Sequence, residues 1–375
     1  MTKRTPATAL PDDAHHYAAI RYRLLLVDLV SWFVFLAAFQ GFGWSSTTAQ
    51  WWASRVVMVP LAFLGYLVVF GGLYYLVMFP LHFYGSFLLE HRFGLSRLTL
   101  WGWLTREAKH LAVSAVLGAC LMEGLYALLR MVPNGWPLWA TVGWVGVSVV
   151  LARMFPTVLL PIFYKTSPLN DDALVKRLLE LCQRVGLSAL GVFRFNLGAE
   201  TRKANAALAG LGKTRRVLVS DTLVAEFTPE EIESVLAHEL AHHRLHHITK
   251  LLLISAVGSG IAFLLTDAVG HRWVAALGLG GLADIAGFPV LMLWFSVLGL
   301  VGLPLQNSIS RYFEWQADRF AVETTKMPNA FADALRRLAA LNLADPNPPR
   351  WVAWLFYDHP PITERIQAAE ALSTS

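Results

Sequence analysis

Of 375 residues, 55% are hydrophobic and only 15% are charged, whereas a soluble domain usually carries about 25% charged residues. With a mean hydropathy of +0.48, the composition excludes an ordinary soluble enzyme and leaves a membrane protein with room for a bundle of spans plus one folded domain. The net charge of +5 reads as positive-inside loops facing anionic lipid; no basic stripe interleaves with exposed aromatics, so nucleic acid is excluded as a partner.

A polar stretch of about 20 residues containing Lys3 and Arg4 precedes an apolar run over residues 24–44, long enough to cross the hydrocarbon. It lacks the short core and small-residue cleavage site of a signal peptide and is expected to be a retained anchor. Further runs cover 56–84, broken by Pro60 and Pro80, then 111–132, 137–163, 251–269 and 288–305. Residues 273–286 are apolar but short and Gly-rich, which suggests a lumenal connection or re-entrant piece. Six spans place both termini on one side. Arg21 and Arg23 before the first span, and Arg92, Arg97, Arg106 and Lys109 between the second and third, put that side in the cytoplasm. Asp28, Glu123, Arg153 and Asp267 fall in or near spans, either as structural pairs such as Glu123 with Arg153 or as the lining of a water-filled cavity.

Between residues 164 and 250 the composition becomes that of a soluble domain. Residues 171–185 have helical periodicity, and 191–197, 204–210 and 216–220 read as strands, the last two joined by a turn at 211–214. Cys120 and Cys182 imply neither a disulfide framework nor a ligand set, which suits a cytoplasmic location.

His238-Glu239-Leu240-Ala241-His242 is an HExxH sequence. On a helix, residues four apart share a face, so both imidazoles can reach one zinc ion while Glu239 stands beside it as general base. Thr228-Pro229-Glu230-Glu231 supplies the helix start, and His243, His246 and His247 make the helix histidine-rich throughout. A catalytic zinc needs a third protein ligand. Glu314 is the best candidate, with Asp318 one turn later positioned to accept the free N–H of a ligand histidine.

These residues belong to motifs that resemble the type I CAAX prenyl proteases, membrane-integrated zinc metallopeptidases of the HExxH gluzincin type. HELAHHRLHH at 238–247 is similar to the zinc helix of that family and SRYFEWQADRFA at 310–321 to its third-ligand helix. DHPPITERI at 358–366 corresponds to its C-terminal motif. EHRFGL at 90–95 and PIFYKTSPL at 161–169 are similar to the stretches before the catalytic domain. Asn205-Ala206, Gly210 and Asp221-Thr222-Leu223 match the lead into the zinc helix. The resemblance implies one Zn2+ per chain on His238, His242 and Glu314, with Asp318 orienting a ligand. It implies that His359 and Arg365 steady the oxyanion, and that Asn205 and Ala206 hold substrate on an edge strand. It also implies a barrel of spans around a water-filled chamber. Departures are six spans rather than seven, Ala207 where those relatives have an aromatic residue, and His243 where they have another.

The expected fold is mainly α: a polytopic bundle of about six spans with a cytoplasmic α+β protease domain. Residues 1–165 form a membrane domain with four spans. Residues 166–375 form a zinc metallopeptidase domain that includes spans at about 251–269 and 288–305. The expected activity is metal-dependent hydrolysis of peptides or of unfolded or lipid-tethered proteins, in a lipid bilayer such as the bacterial inner membrane. Two alternatives are a heat-shock-type quality-control metalloprotease and a zinc-binding scaffold or transporter without proteolysis. The sequence leaves the oligomeric state open.

Overall fold

The computed structural model describes residues 13–210 and 214–372; the stretch with Lys3 and Arg4 and the turn residues 211–213 lie outside them. In chain order the elements are α1 (Asp13–Gly41), α2 (Trp44–Ala53), α3 (Val59–Arg92), α4 (Leu100–Met131) and α5 (Trp136–Phe163). Then come β1 (Thr166–Pro168), α6 (Asp172–Arg184), β2 (Val192–Phe195), β3 (Ala206–Ala209), β4 (Arg216–Ser220) and α7 (Asp221–Glu226). The chain continues through α8 (Pro229–Arg244), α9 (His247–Ala276), α10 (Phe288–Thr325), α11 (Pro328–Asn342), α12 (Arg350–Phe356) and α13 (Ile362–Ala371).

Six of these segments are long and apolar enough to cross a membrane: α1, α3, α4, α5, α9, and α10 with the short turn before it. The packing suits a lipid solvent. Phe35, Phe39, Phe63, Tyr66, Phe70, Tyr126, Trp136 and Phe288 form a buried aromatic core. Val68, Leu76, Val116, Leu138, Val257 and Val301 point outward, each more than 60% exposed. Lipid tails are as apolar as these side chains, so their exposure carries no penalty there.

The helices depart from the expected spans in instructive ways. Gly43, in the left-handed region, separates α1 from α2, so Trp44 starts a new helix instead of ending the first span. Pro60 does not break α3; it lies in its first turn, where the backbone N–H has no intrahelical partner anyway. Pro80 is absorbed within α3, and a π-helical turn at Tyr84–Leu88 follows it. A second π turn, Phe155–Leu159, contains Pro156 in α5. Such wide turns let a helix continue near a residue that cannot donate. Of residues 273–286, the first four complete α9 and the rest form a turn-rich connection. The expected pair of Glu123 with Arg153 is not formed. Glu123 lies 3.5 Å from Arg130, two turns along the same helix, and Arg153 is exposed. Asp267 accepts from the Trp136 indole at 2.8 Å.

The soluble part holds a four-stranded sheet in the order β1-β2-β4-β3. β2 and β4 are parallel, and the two outer pairs are antiparallel. β1 has no signal in the sequence: its three exposed or half-exposed residues carry no alternating pattern. β3 is an edge strand, and Gly210 at its end has φ +97 with room for no Cβ, which would stand 2.6 Å from the Thr214 carbonyl oxygen. The residues 171–185 expected as a helix form α6, with the Asp171 side chain capping Leu174 N–H at 3.0 Å and Leu174, Leu178 and Leu181 buried.

Candidate active site

α8 is specified from its first turn. Thr228 Oγ1 accepts from the Glu231 N–H while the Glu231 carboxylate accepts from the Thr228 N–H, a complete capping box. Ile232, Val235, Leu236, Ala237 and Leu240 pack into the core formed with α6, the sheet, α11 and α13. Buried Glu233 accepts from Arg177 at 2.6 Å and Arg184 at 2.9 Å on α6, and Glu231 from Arg337 at 3.0 Å on α11. Hydrophobic contact and charge-assisted bonds thus fix the rotation of the helix as well as its position. We expect Thr228→Ala to lower the stability of the solubilised protein by about 1 kcal/mol, the usual cost of a lost N-cap. Thermal or denaturant unfolding would show it, and an unchanged midpoint would contradict it.

That rotation aims His238 and His242 at α10, where Glu314 and Asp318 lie one turn apart. His238, Glu314 and Asp318 are only 4–6% exposed. Ligand atoms of His238, His242 and Glu314 all lie within 4.8 Å of one another. Glu314 Oε2 is 3.3 Å from His238 Nε2, Glu314 Oε1 is 3.3 Å from His242 Nε2, and the two Nε2 atoms are 3.2 Å apart. His238 Nδ1 donates to Asp318 Oδ1 at 2.8 Å, so the neutral ring turns the lone pair of its Nε2 toward the cluster. Glu314 Oε2 has near neighbours but none on a hydrogen-bonding line, so it is a buried oxygen without a hydrogen-bond partner among the described residues. Acceptors converging on one point are an arrangement that a cation satisfies, and the donor set fits a divalent metal of the zinc type.

Glu239 follows His238 on α8 and is partly exposed. Burial lifts its carboxyl above the ordinary range, opposed by the charge of His238 and His242. For His238, burial works against the cation, but the bond to Asp318 and the nearby Glu314 carboxylate prevail and raise it to about 9. The C-terminal motif leads into the first turns of α13. His359 Nε2 stands 3.3 Å from Glu314 Oε2 and its Nδ1 2.8 Å from Asp358. Burial disfavours the His359 cation, yet the Asp358 bond and the Glu314 charge leave it above its usual value. Arg365, 9% exposed, grips Asp318 with Nε at 2.8 Å and Nη2 at 2.6 Å, and Nη2 is 3.8 Å from Glu314 Oε2.

Asn205 directly precedes β3, and Ala206 is the first residue of that edge strand. Asn205 is exposed, while its N–H and carbonyl are both tied to Ser220. His243, directly after His242, places Nε2 2.8 Å from the Leu208 carbonyl on the same strand.

Several neighbours of the cluster carry no sequence signal beyond residue type. His247 contacts His242, and Gln316 contacts His247. Tyr22 at the start of the first span bonds Asp345 at 2.8 Å and Tyr357 at 2.6 Å, tying α1 to the segment that carries His359.

A membrane helix bundle carrying an HExxH helix whose two histidines meet a buried glutamate defines a membrane-embedded metallopeptidase. The chain belongs to peptidase family M48, whose pattern matches residues 168–373. Residues 10–165 match the family described as CAAX prenyl protease N-terminal, five membrane helices; α1–α5 fall within that stretch, with α2, at 10 residues, too short to cross. The chain is similar to the uncharacterized metalloprotease YhfN of Bacillus subtilis, 27% identical over 95% of this chain and 84% of the relative. It is also similar to CAAX prenyl protease 1 of Saccharomyces cerevisiae, 29% identical over 84% and 72% of the two chains. In fold it is similar to the crystal structure of S. mikatae Ste24p, with a TM-score of 0.85 over 98% of this chain and 92% of that one, at 23% identity. The protein is therefore a multi-pass, CAAX prenyl protease-like metalloendopeptidase acting on peptide or protein substrates. Neither the quality-control nor the scaffold reading is favoured by these relationships.

Proposed function

We infer that the chain is a zinc endopeptidase working at the cytoplasmic face of a bacterial inner membrane on unfolded or lipid-tethered substrates. The convergence of His238, His242 and Glu314, with Glu239 beside them on α8, carries the reading. These three residues would hold one Zn2+, as two imidazoles and a carboxylate do in open catalytic sites. When bound, zinc polarises the scissile carbonyl and lowers the pKa of water toward about 7. Glu239 is the proposed base: it takes the proton of the attacking water and returns it to the leaving amine. Asp318 holds the ring of His238. His359, exposed and beside Glu314, donates to the developing oxyanion, and Arg365 adds positive charge from behind Asp318. Asn205 and Ala206, at the β3 edge, would hold the substrate backbone as an added strand. The membrane domain would span 1–165 and the peptidase domain 166–375.

The proposed setting follows from charge and chain geometry. Arg21 and Arg23 on α1, and Arg92, Arg97, Arg106 and Lys109 between the second and third spans, favour a cytoplasmic protease domain. Glu314 lies nine residues beyond the apolar run that ends near Leu305, roughly 14 Å along the helix at about 1.5 Å per residue. α9 begins five residues after His242. A site so close to the bilayer favours flexible or tethered chains. Unfolded substrates should therefore be cut much faster than the same proteins tightly folded. Equal rates on folded soluble proteins would contradict a site held this close to the bilayer.

Asp318→Ala should weaken zinc binding about 10–100-fold, the usual range for a lost ligand-orienting partner, read by chelator competition. Unchanged affinity would free His238 from any need of Asp318.

The substrate is best tested by comparing peptides released in native membranes carrying active protein or Glu239→Gln. Cleavage products confined to the active protein, enriched in unfolded or lipid-bearing chains, support the reading. Identical peptide sets overturn it.

A further inference from the structure

His238 and His242 face the same point but are held from behind by different partners. Behind His238 stands the carboxylate of Asp318. Behind His242 stands His247, whose Nδ1 is 3.2 Å from His242 Nδ1. His247 is fully buried and is the first residue of α9. Its Nε2 is 3.0 Å from Gln316 Oε1 on α10, and its ring stacks on Phe313 with centroids 4.5 Å apart and planes 9° from parallel.

We propose that His247 and Gln316 form a relay that sets the tautomer of His242 and so makes its Nε2 a metal ligand. Two imidazole Nδ1 atoms at hydrogen-bonding distance hold one proton between them, so one ring donates and the other accepts. The Gln316 oxygen only accepts, so His247 carries its hydrogen on Nε2. Its Nδ1 then accepts from His242 Nδ1–H. His242 is left with a lone pair on Nε2, the atom 3.2 Å from His238 Nε2 and 3.3 Å from Glu314 Oε1. Each histidine ligand is thus fixed by the bond its other nitrogen makes.

The backbone is bent to make this contact. In an unbroken helix, side chains five residues apart point about 140° apart around the axis. α8 instead stops at Arg244, and His246 adopts φ 59, ψ 31, a left-handed conformation uncommon outside glycine. The break brings His247 back against His242 as α9 begins.

The relay rests on the reading that His238, His242 and Glu314 hold zinc, and one titration separates the two ideas. Full-length protein, solubilised and stripped of metal, is titrated with Zn2+ against a competing chelator. His247→Phe keeps the ring volume and the Phe313 stack but removes both nitrogens; Gln316→Leu removes the acceptor. Each should weaken zinc about 10–100-fold, whereas Gln316→Glu, which retains an acceptor oxygen, should stay within about threefold of the parent protein. Should His247→Phe unfold in the metal-free state, Gln316→Leu decides. Parent-like zinc affinity in a folded His247→Phe or Gln316→Leu protein overturns the relay alone. Failure of the parent protein to bind Zn2+ overturns the underlying site.

Discussion

Glu239→Gln should reduce peptide hydrolysis by at least about 100-fold, the lower range for loss of a general base, while zinc content stays near one per chain. The side chain has the shape of glutamate, and it is not among the three groups whose ligand atoms converge, so the amide leaves the metal cluster intact. Burial already holds the carboxyl above the ordinary carboxylate range, which suits a group that must take a proton and release it again within one turnover. An amide cannot take that proton. Metal analysis beside a peptidase assay on one preparation decides the matter. Turnover above about a tenth of the parent rate, with zinc in place, would remove Glu239 as the base, because a lost proton acceptor costs far more than tenfold.

Much of this arrangement is legible in the sequence because it depends on local repetition. Long apolar runs mark the six spanning helices, and the i, i+4 spacing of His238 and His242 carries over into space because α8 is regular from its cap onward. Glu314 and Asp318 are legible for the same reason: both lie on α10, which runs without a break from the apolar stretch beginning at Phe288 to Thr325. What escapes the sequence depends on where one helix stops and which distant element meets it. His247 reads as one more polar residue on a histidine-rich helix until His246 turns the chain. Arg130 and Arg153 could each pair with Glu123, and which of them it faces depends on side-chain packing that no period encodes. Tyr22 and Asp345 come from opposite ends of the chain, and their hydrogen bond follows from how α1 stands beside α10. β1 is too short to show an alternation.

Glu314→Ala should abolish both zinc binding and hydrolysis, with an affinity loss greater than the roughly 10–100-fold expected for orienting partners such as Asp318. Two imidazoles without the carboxylate leave one ligand too few for a catalytic zinc site. The glutamate also supplies the negative charge that His238 Nε2 and His359 Nε2 each approach at 3.3 Å and Arg365 at 3.8 Å. Removing it takes one carboxylate away from Arg365, which Asp318 still holds, and it opens a small buried space at a site 4% exposed. A structural collapse could mimic loss of a ligand, so Glu314→Gln is the informative companion. It keeps the volume and one carbonyl oxygen but loses the charge that faces His238, His359 and Arg365, so when both are metal-free it should unfold at a lower temperature than the parent protein yet in the same single cooperative transition. It should nonetheless bind zinc far more weakly, because a neutral amide oxygen is a poor partner for zinc beside two imidazoles. Dialysis followed by metal analysis, with metal-free unfolding as the control, gives the answer. Full zinc occupancy and activity in either variant would place the third ligand elsewhere.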